Sequence, residues 1–203
     1  MALNFAVNNS LSALTALPAS ISGGGLNLIS TQTASSSSTI SFTSGIDSTY
    51  KEYIFKFINV HPATSDASFT FNMSVDGGSN YNVTKTTTTP RAYHDEADSE
   101  AAIEYDGGQD LAQSTSFQGI SRFLGNGNDE CGSGTLHIFD PSSTTFVKHF
   151  IAVANTYYSG DYSFNDFTAG YGNTTSAVNA VQFKMSSGNI DSGTIKMYGI
   201  KDS

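Results

Sequence analysis

The segment SFTFNMSV, residues 68–75, sends Phe69, Phe71, Met73 and Val75 to one face of an extended chain and Ser68, Thr70, Asn72 and Ser74 to the other. A period of two over eight positions predicts a half-buried β-strand. DGGSN follows, with residues that tolerate positive φ, and YNVTKTTTT then resumes with β-branched side chains. The two runs together predict a β-hairpin. Upstream, YKEYIFKFINV (50–60) is apolar on both faces near its middle, through Tyr53, Ile54, Phe55, Phe57 and Ile58. That is the pattern of a central strand covered on both sides, and the His61-Pro62 step ends it.

Further strands are expected at 38–43, 134–139 and 145–154, with Pro141, Ser142 and Ser143 turning the chain between the last two. Near the C-terminus Val181, Phe183 and Met185 alternate before SSGN, and Ile195 and Met197 alternate after it, which predicts a terminal hairpin whose last strand enters the body of a sheet. Two stretches raise a helical alternative. Leu11, Leu14 and Leu17 share one face of a short turn, and DEADSEAAIEY (95–105) starts with acidic residues; the second is read as an excursion connecting strands. Roughly nine to eleven short strands separated by Gly, Asn and Ser turns predict an all-β fold, a two-sheet antiparallel β-sandwich of jelly-roll type. SGGGLNL marks a joint, so residues 1–25 are read as an N-terminal arm and 26–203 as the sandwich.

Composition narrows the function. A chain of 203 residues suits one β domain, able to bury roughly 70% of the surface its unfolded form exposes. With 14 Phe and 10 Tyr but only 13% charged residues, it carries a real core under a surface of hydroxyls and amides. The net charge of -9 repels polyphosphate, so nucleic acid is not an expected partner. No apolar run approaches the ~20 residues of a membrane-spanning helix, and the N-terminus lacks the pattern of a secretory signal, so synthesis in a cytosol without membrane insertion is expected. Cys131 is alone and forms no intrachain disulfide.

The chemistry-bearing residues form no recognised motif. His61, His94, His137 and His149 lack metal-ligand spacing, although His137 and His149 sit in adjacent predicted strands and could meet across a sheet. Carboxylates crowd 94–110, where Asp95, Glu96 and Asp98 have the chemistry of a calcium site, but a solvated acidic loop is the favoured reading and no cofactor is expected. Neither a nucleophile elbow nor a phosphate-binding loop occurs, and no carboxylate pair stands in an apolar context, so no catalytic residue is assigned. The sequons at Asn8, Asn72, Asn82 and Asn173 are what chance gives in a chain this rich in Asn, Ser and Thr. The stretch TYYSGDYSFNDFTAGYG (156–172) stands apart: Tyr157, Tyr158, Tyr162, Phe164, Phe167 and Tyr171 are interleaved with Gly, Asp and Asn, favouring neither a clean strand nor a helix. Such aromatics stack on sugars, anchor another subunit, or plug one end of a sandwich.

YKEYIFKFINVHPATSDASFTFNMSVDGGSNYNVTKTTTT, SSTTFVKHF and GYGNTTSAVNAVQFKMSSGNIDSGTIKMYGI resemble a family of virion structural proteins of tailed bacteriophages, particularly marine ones. The likeness runs from about residue 26 onward, and SSGNIDSGTIKMYGI is its most specific element. The resemblance implies a non-enzymatic component of the particle exterior, a capsid decoration, head fibre or tail-fibre module, assembled in the host cytoplasm and bound to other capsid or tail proteins. It carries no catalytic residues over. The arm, through Leu3, Phe5, Val7, Leu11, Leu14 and Leu17, is the expected attachment or oligomer contact. A homotrimer is the expected assembly. Host surface glycans are the alternative partner, with the 156–172 aromatics as the contact.

Overall fold

A computed structural model describes residues 25–200, and these contain thirteen β-strands and no helix. The arm residues Leu3, Phe5, Val7, Leu11, Leu14 and Leu17 lie outside the described residues. The strands are β1 (Leu26–Ser37), β2 (Ile40–Phe42), β3 (Glu52–Pro62), β4 (Ala67–Ser74), β5 (Lys85–Thr88), β6 (Pro90–Asp95) and β7 (Ala101–Tyr105). After them come β8 (Gln118–Leu124), β9 (Gly132–Phe139), β10 (Lys148–Tyr158), β11 (Tyr162–Gly172), β12 (Ala180–Met185) and β13 (Ile190–Ile200). All the strand pairings are antiparallel, so the all-β reading of the sequence holds.

The strands form one hydrogen-bonded sheet in the order β1-β13-β3-β9-β10-β8-β4-β12-β2, and β11, with β5, β6 and β7 beyond it, branches from β10. A single bridge, Tyr158 with Leu124, joins β10 to β8. There the sheet turns back on itself, and its two limbs face each other. Its ends also approach, because the Gln32 side chain donates to the Ser41 carbonyl at 2.6 Å, leaving the sheet nearly closed.

The interior follows from alternation. Tyr53, Phe55 and Phe57 of β3 point inward and are at most 1% exposed; from the other limb Phe69 of β4 meets Phe57, Phe183 of β12 meets Phe55, and Phe71 of β4 meets Phe150 of β10. Phe183 stacks on Phe69 with ring centroids 5.4 Å apart and also touches Phe42 and Phe55 edge-on or tilted. Aromatic pairs in these offset and edge-to-face arrangements contribute about 0.5–1.5 kcal/mol each beyond the area they bury.

Several local expectations change. β4 is buried on both faces, not one, since Ser68, Thr70, Asn72 and Ser74 are at most 7% exposed while Val75 is the exposed residue. Hydrogen bonding makes this tolerable: Asn72 Nδ2 donates to the Tyr81 and Thr115 carbonyls, and Lys85 Nζ donates to Asn72 Oδ1 at 2.7 Å. The DGGSN turn does not close a β4–β5 hairpin, because β4 pairs with β8 and β12 while β5 crosses to β11. The terminal strands are not a hairpin either. β12 pairs with β4 and β2, β13 lies between β1 and β3, and the 186–189 turn carries the chain across the core from one limb to the other. Residues 95–105 form the turn and second strand of a β6–β7 hairpin. β1 answers to no strand expected from the sequence, since its TQTASSS half has too few apolar residues to reveal a period.

Candidate functional site

The 156–172 stretch is a regular hairpin. β10 and β11 pair from Lys148↔Gly172 to Tyr158↔Tyr162, with Asp161 at φ 62 in the turn, a conformation that Asp tolerates. Alternation divides the expected contact residues between two faces. Tyr158, Tyr162 and Phe164 point to the inner side and pack on the chain itself: Tyr158 stacks on Phe164 at 5.0 Å, and Tyr93 of β6 meets Phe164 at 5.7 Å. The Arg91 guanidinium lies 4.9 Å from the Phe164 centroid and 5.7 Å from those of Tyr93 and Phe123, a cation over three rings. These aromatics pack on one another and on Arg91.

Tyr157 points to the outer face, opposite Ser163, and lines a cleft of about 250 Å³ with His94, Glu96, Asn155 and Tyr162. Burial of its hydroxyl, then the carboxylates of Glu96 and Asp161, push Tyr157 up to about 12. Tyr171 is elsewhere: at the far end of β11, beside His149 at 6.2 Å, it lines an apolar groove with Phe139, Ile151 and Ala169. Nine residues of strand, ~30 Å, separate it from Tyr162. The expected contact set is therefore three places, not one.

The acidic segment is used by its own turns. Asp95 accepts from the Ser99 and Glu100 amides at 2.8 Å and from the Ser99 hydroxyl, which holds its carboxyl below the ordinary range. Asp98 turns to His94 at 3.1 Å, with its side chain 93% exposed. The carboxylates of Asp95, Glu96 and Asp98 thus diverge, and among the described residues no cluster of three metal-ligating side chains occurs. His137 and His149 do not pair across the sheet. His137 faces Ile151 and Ile54 and binds Glu52 at 2.6 Å, while His149 faces Tyr171.

A second cleft, of about 420 Å³, gathers Asn59, His61, Glu130, Cys131 and Asp191. It builds no activated nucleophile. His61 is held by the Gly127 carbonyl at 3.0 Å and by Asp191 at 3.6 Å, and burial, with Asp129 adding to it, pushes the Cys131 thiol up. Of the sequons, Asn72 is fully buried and inaccessible to modification.

Sequence reasoning did not find a fully buried ion pair. Arg122 of β8 and Asp166 of β11, both 0% exposed, join the limbs where the sheet turns back: Asp166 accepts from Arg122 Nε and Nη2 at 2.7 Å, from the Arg122 amide at 2.8 Å and from Thr156 Oγ1 at 3.1 Å. Burial pushes the Asp166 carboxyl up, and the Arg122 guanidinium pulls it back. Asp106 extends the network to Arg91 and on to Glu104. The signal was a lone Arg inside the apolar run GISRFL. No family model, curated protein or solved structure matches the chain.

Proposed function

We propose that the chain is a non-enzymatic structural component of a bacteriophage virion, exposed on the particle as a capsid decoration, head fibre or tail-fibre module. In this reading its two facing limbs are the layers of a jelly-roll-like sandwich. It assembles in the host cytoplasm as a homo-oligomer, a trimer by the sequence-based expectation, and binds other capsid or tail proteins through residues 1–25. The observation that carries the proposal is where the most family-like segment lies. SSGNIDSGTIKMYGI crosses the core and supplies β13, which pairs along its length with β1 and β3, so the resemblance falls on the framework and not on a surface loop. Two features of the clefts agree with a non-catalytic role: the Cys131 thiol is pushed up, not activated, and Asp95 is consumed as a turn cap. Mass spectrometry of purified particles of the encoding phage, with antibody labelling of their surface, tests the proposal. Stoichiometric, accessible copies are expected; absence from the particle refutes it.

A second reading, recognition of host surface glycans, is favoured by the cleft around Tyr157, where an aromatic ring stands beside Asn155, His94 and Glu96 as sugar hydroxyls require. Tyr157→Ala is expected to abolish binding to host-cell polysaccharide while leaving the fold intact. Unchanged binding removes this reading.

A further inference from the structure

β7 lies at the end of the branch that leaves β10, and it pairs with β6 alone. The hydrogen bonds at its two ends fix which backbone groups that pairing uses: Glu100 accepts from the Asp95 amide at 3.0 Å, and the Asp106 amide donates to Thr89 at 3.1 Å. Bonded positions alternate in an antiparallel pair, so Ala102 and Glu104 bond to β6 while the N–H and C=O groups of Ala101, Ile103 and Tyr105 point away from it. Among the described residues no other backbone segment bonds them. The edge is regular, without the bulge, lysine or proline that commonly blunts an open edge. Ile103 at its centre is 85% exposed, and Tyr105 on the same face is 55% exposed. Carboxylates flank this ladder. Glu100 precedes it and accepts from the Tyr162 hydroxyl at 2.8 Å, and Asp110 accepts from the Tyr105 hydroxyl at 2.5 Å. Among the described residues neither has a cationic side chain within salt-bridge distance, whereas Glu104 and Asp106 are held by Arg91.

We propose that β7 is a docking edge to which an extended, basic segment of another protein adds as a further strand. Main-chain bonds to Ala101, Ile103 and Tyr105 hold the segment, and pockets beside alternate side chains select it, as strand addition does generally. An apolar side chain opposite Ile103 covers it, and a Lys or Arg towards each end meets Glu100 or Asp110. Glu100 and Tyr105 are ~17 Å apart along the strand, so those cations belong about five positions apart in the segment. Charge decides the occupant. A second copy would lay the seven carboxylates of residues 95–110 against themselves, and an antiparallel pairing centred on Ile103 sets Glu100 opposite Asp106, where like charges repel. Residues 1–24 hold no Lys or Arg and supply no cation. A basic segment is instead drawn in by the net charge of -9. This contact is independent of the virion reading.

A fluorescein-labelled peptide alternating threonine and valine between two terminal lysines, added to the full chain, tests this by anisotropy and amide hydrogen exchange. Exchange at Ala101, Ile103 and Tyr105, fast in the free protein, should slow about tenfold or more on binding, while Ala102 and Glu104 are protected throughout. The same peptide ending in glutamates should bind about tenfold more weakly at low salt, a gap that closes as salt is added. Ile103→Pro deletes an outward N–H, leaves the β6 ladder its bonds and should abolish binding. If that variant fails to fold, Ile103→Lys keeps the backbone and should weaken the lysine-ended peptide by about tenfold. Glu100→Gln with Asp110→Asn should erase the preference for lysine. No binding, binding without this alternation in exchange, or equal affinity for the two peptides overturns the proposal. So does a dimer in sedimentation velocity that Ile103→Pro abolishes, which makes a second copy the occupant. None of these results moves the virion reading, which the particle assay tests.

Discussion

Replacing Arg122 by Met would strip Asp166 of the two guanidinium donors and leave a carboxylate with 0% exposure held by one backbone amide and the Thr156 hydroxyl. Removing one member of a buried ion pair costs about 3–5 kcal/mol, because the remaining charge keeps its desolvation penalty and loses the Coulombic attraction that offset it. The cost here belongs at the upper end. The same carboxylate orients Thr156, whose hydroxyl is shared with Ser121 at 2.6 Å, and a single backbone bridge joins the limbs at this point. For a domain of this size each kcal/mol lowers Tm by roughly 2–4 °C, so a fall of roughly 6–20 °C is expected. Arg122→Met combined with Asp166→Leu removes both charges and should recover most of the loss, since apolar replacement of a buried pair is often neutral or better. Urea unfolding read by near-UV circular dichroism, with midpoint and slope fitted separately, measures Arg122→Met, Asp166→Leu and the double variant. The reasoning is refuted if Arg122→Met lies within about 1 kcal/mol of the parent, or if the double variant is as unstable as the sum of the single ones.

Three further outcomes follow from the same geometry. Phe183→Ala, which empties the point where Phe42, Phe55 and Phe69 meet, should cost about 3–5 kcal/mol in the same urea assay. Lys85 is buried without a carboxylate partner, and burial lowers it from 10.5 to about 7, so between those values the unfolded chain binds more protons than the folded one. Stability should therefore rise with pH across that window, by on the order of 4 kcal/mol from pH 7 to 10, and Lys85→Met should flatten the rise in pH-dependent melting. Ultraviolet titration of the phenols should show Tyr157 still protonated at pH 11, about one unit above the value of a free phenol, and the loss of that late step in Tyr157→Phe assigns it.

Period two along the chain was enough to place β3, β4, β9 and β12, because alternation on an extended backbone depends only on local geometry. It took β3 as covered on both sides, whereas Ile58 on its outer face is 41% exposed. It misjudged β4 at Ser68, Thr70, Asn72 and Ser74, polar residues that look exposed until Lys85 and the carbonyls of residues 81 and 115 are known to satisfy them. The aromatic stretch was legible as chemistry and not as a site. Interleaving with Gly, Asp and Asn hid a hairpin whose alternation sends Tyr158, Tyr162 and Phe164 into a structural cluster and only Tyr157 to the cleft. Arg122 and Asp166 are 44 residues apart, and nothing local predicts that they meet.

The sequence by itself determined an all-β chain, the positions of most strands and the faces that are apolar, since each of these depends on a residue and its near neighbours. Tertiary structure decided partners: β5 against β11 instead of β4, β12 and β13 on opposite limbs instead of in a hairpin, a buried ion pair where the sheet turns back, and β7 left as an open edge. Strand pairing is a choice among many edges of similar backbone chemistry. It is settled by which arrangement buries Phe55, Phe69 and Phe183 together while leaving, among the described residues, no buried side-chain nitrogen or oxygen without a hydrogen bond, a condition on many strands at once.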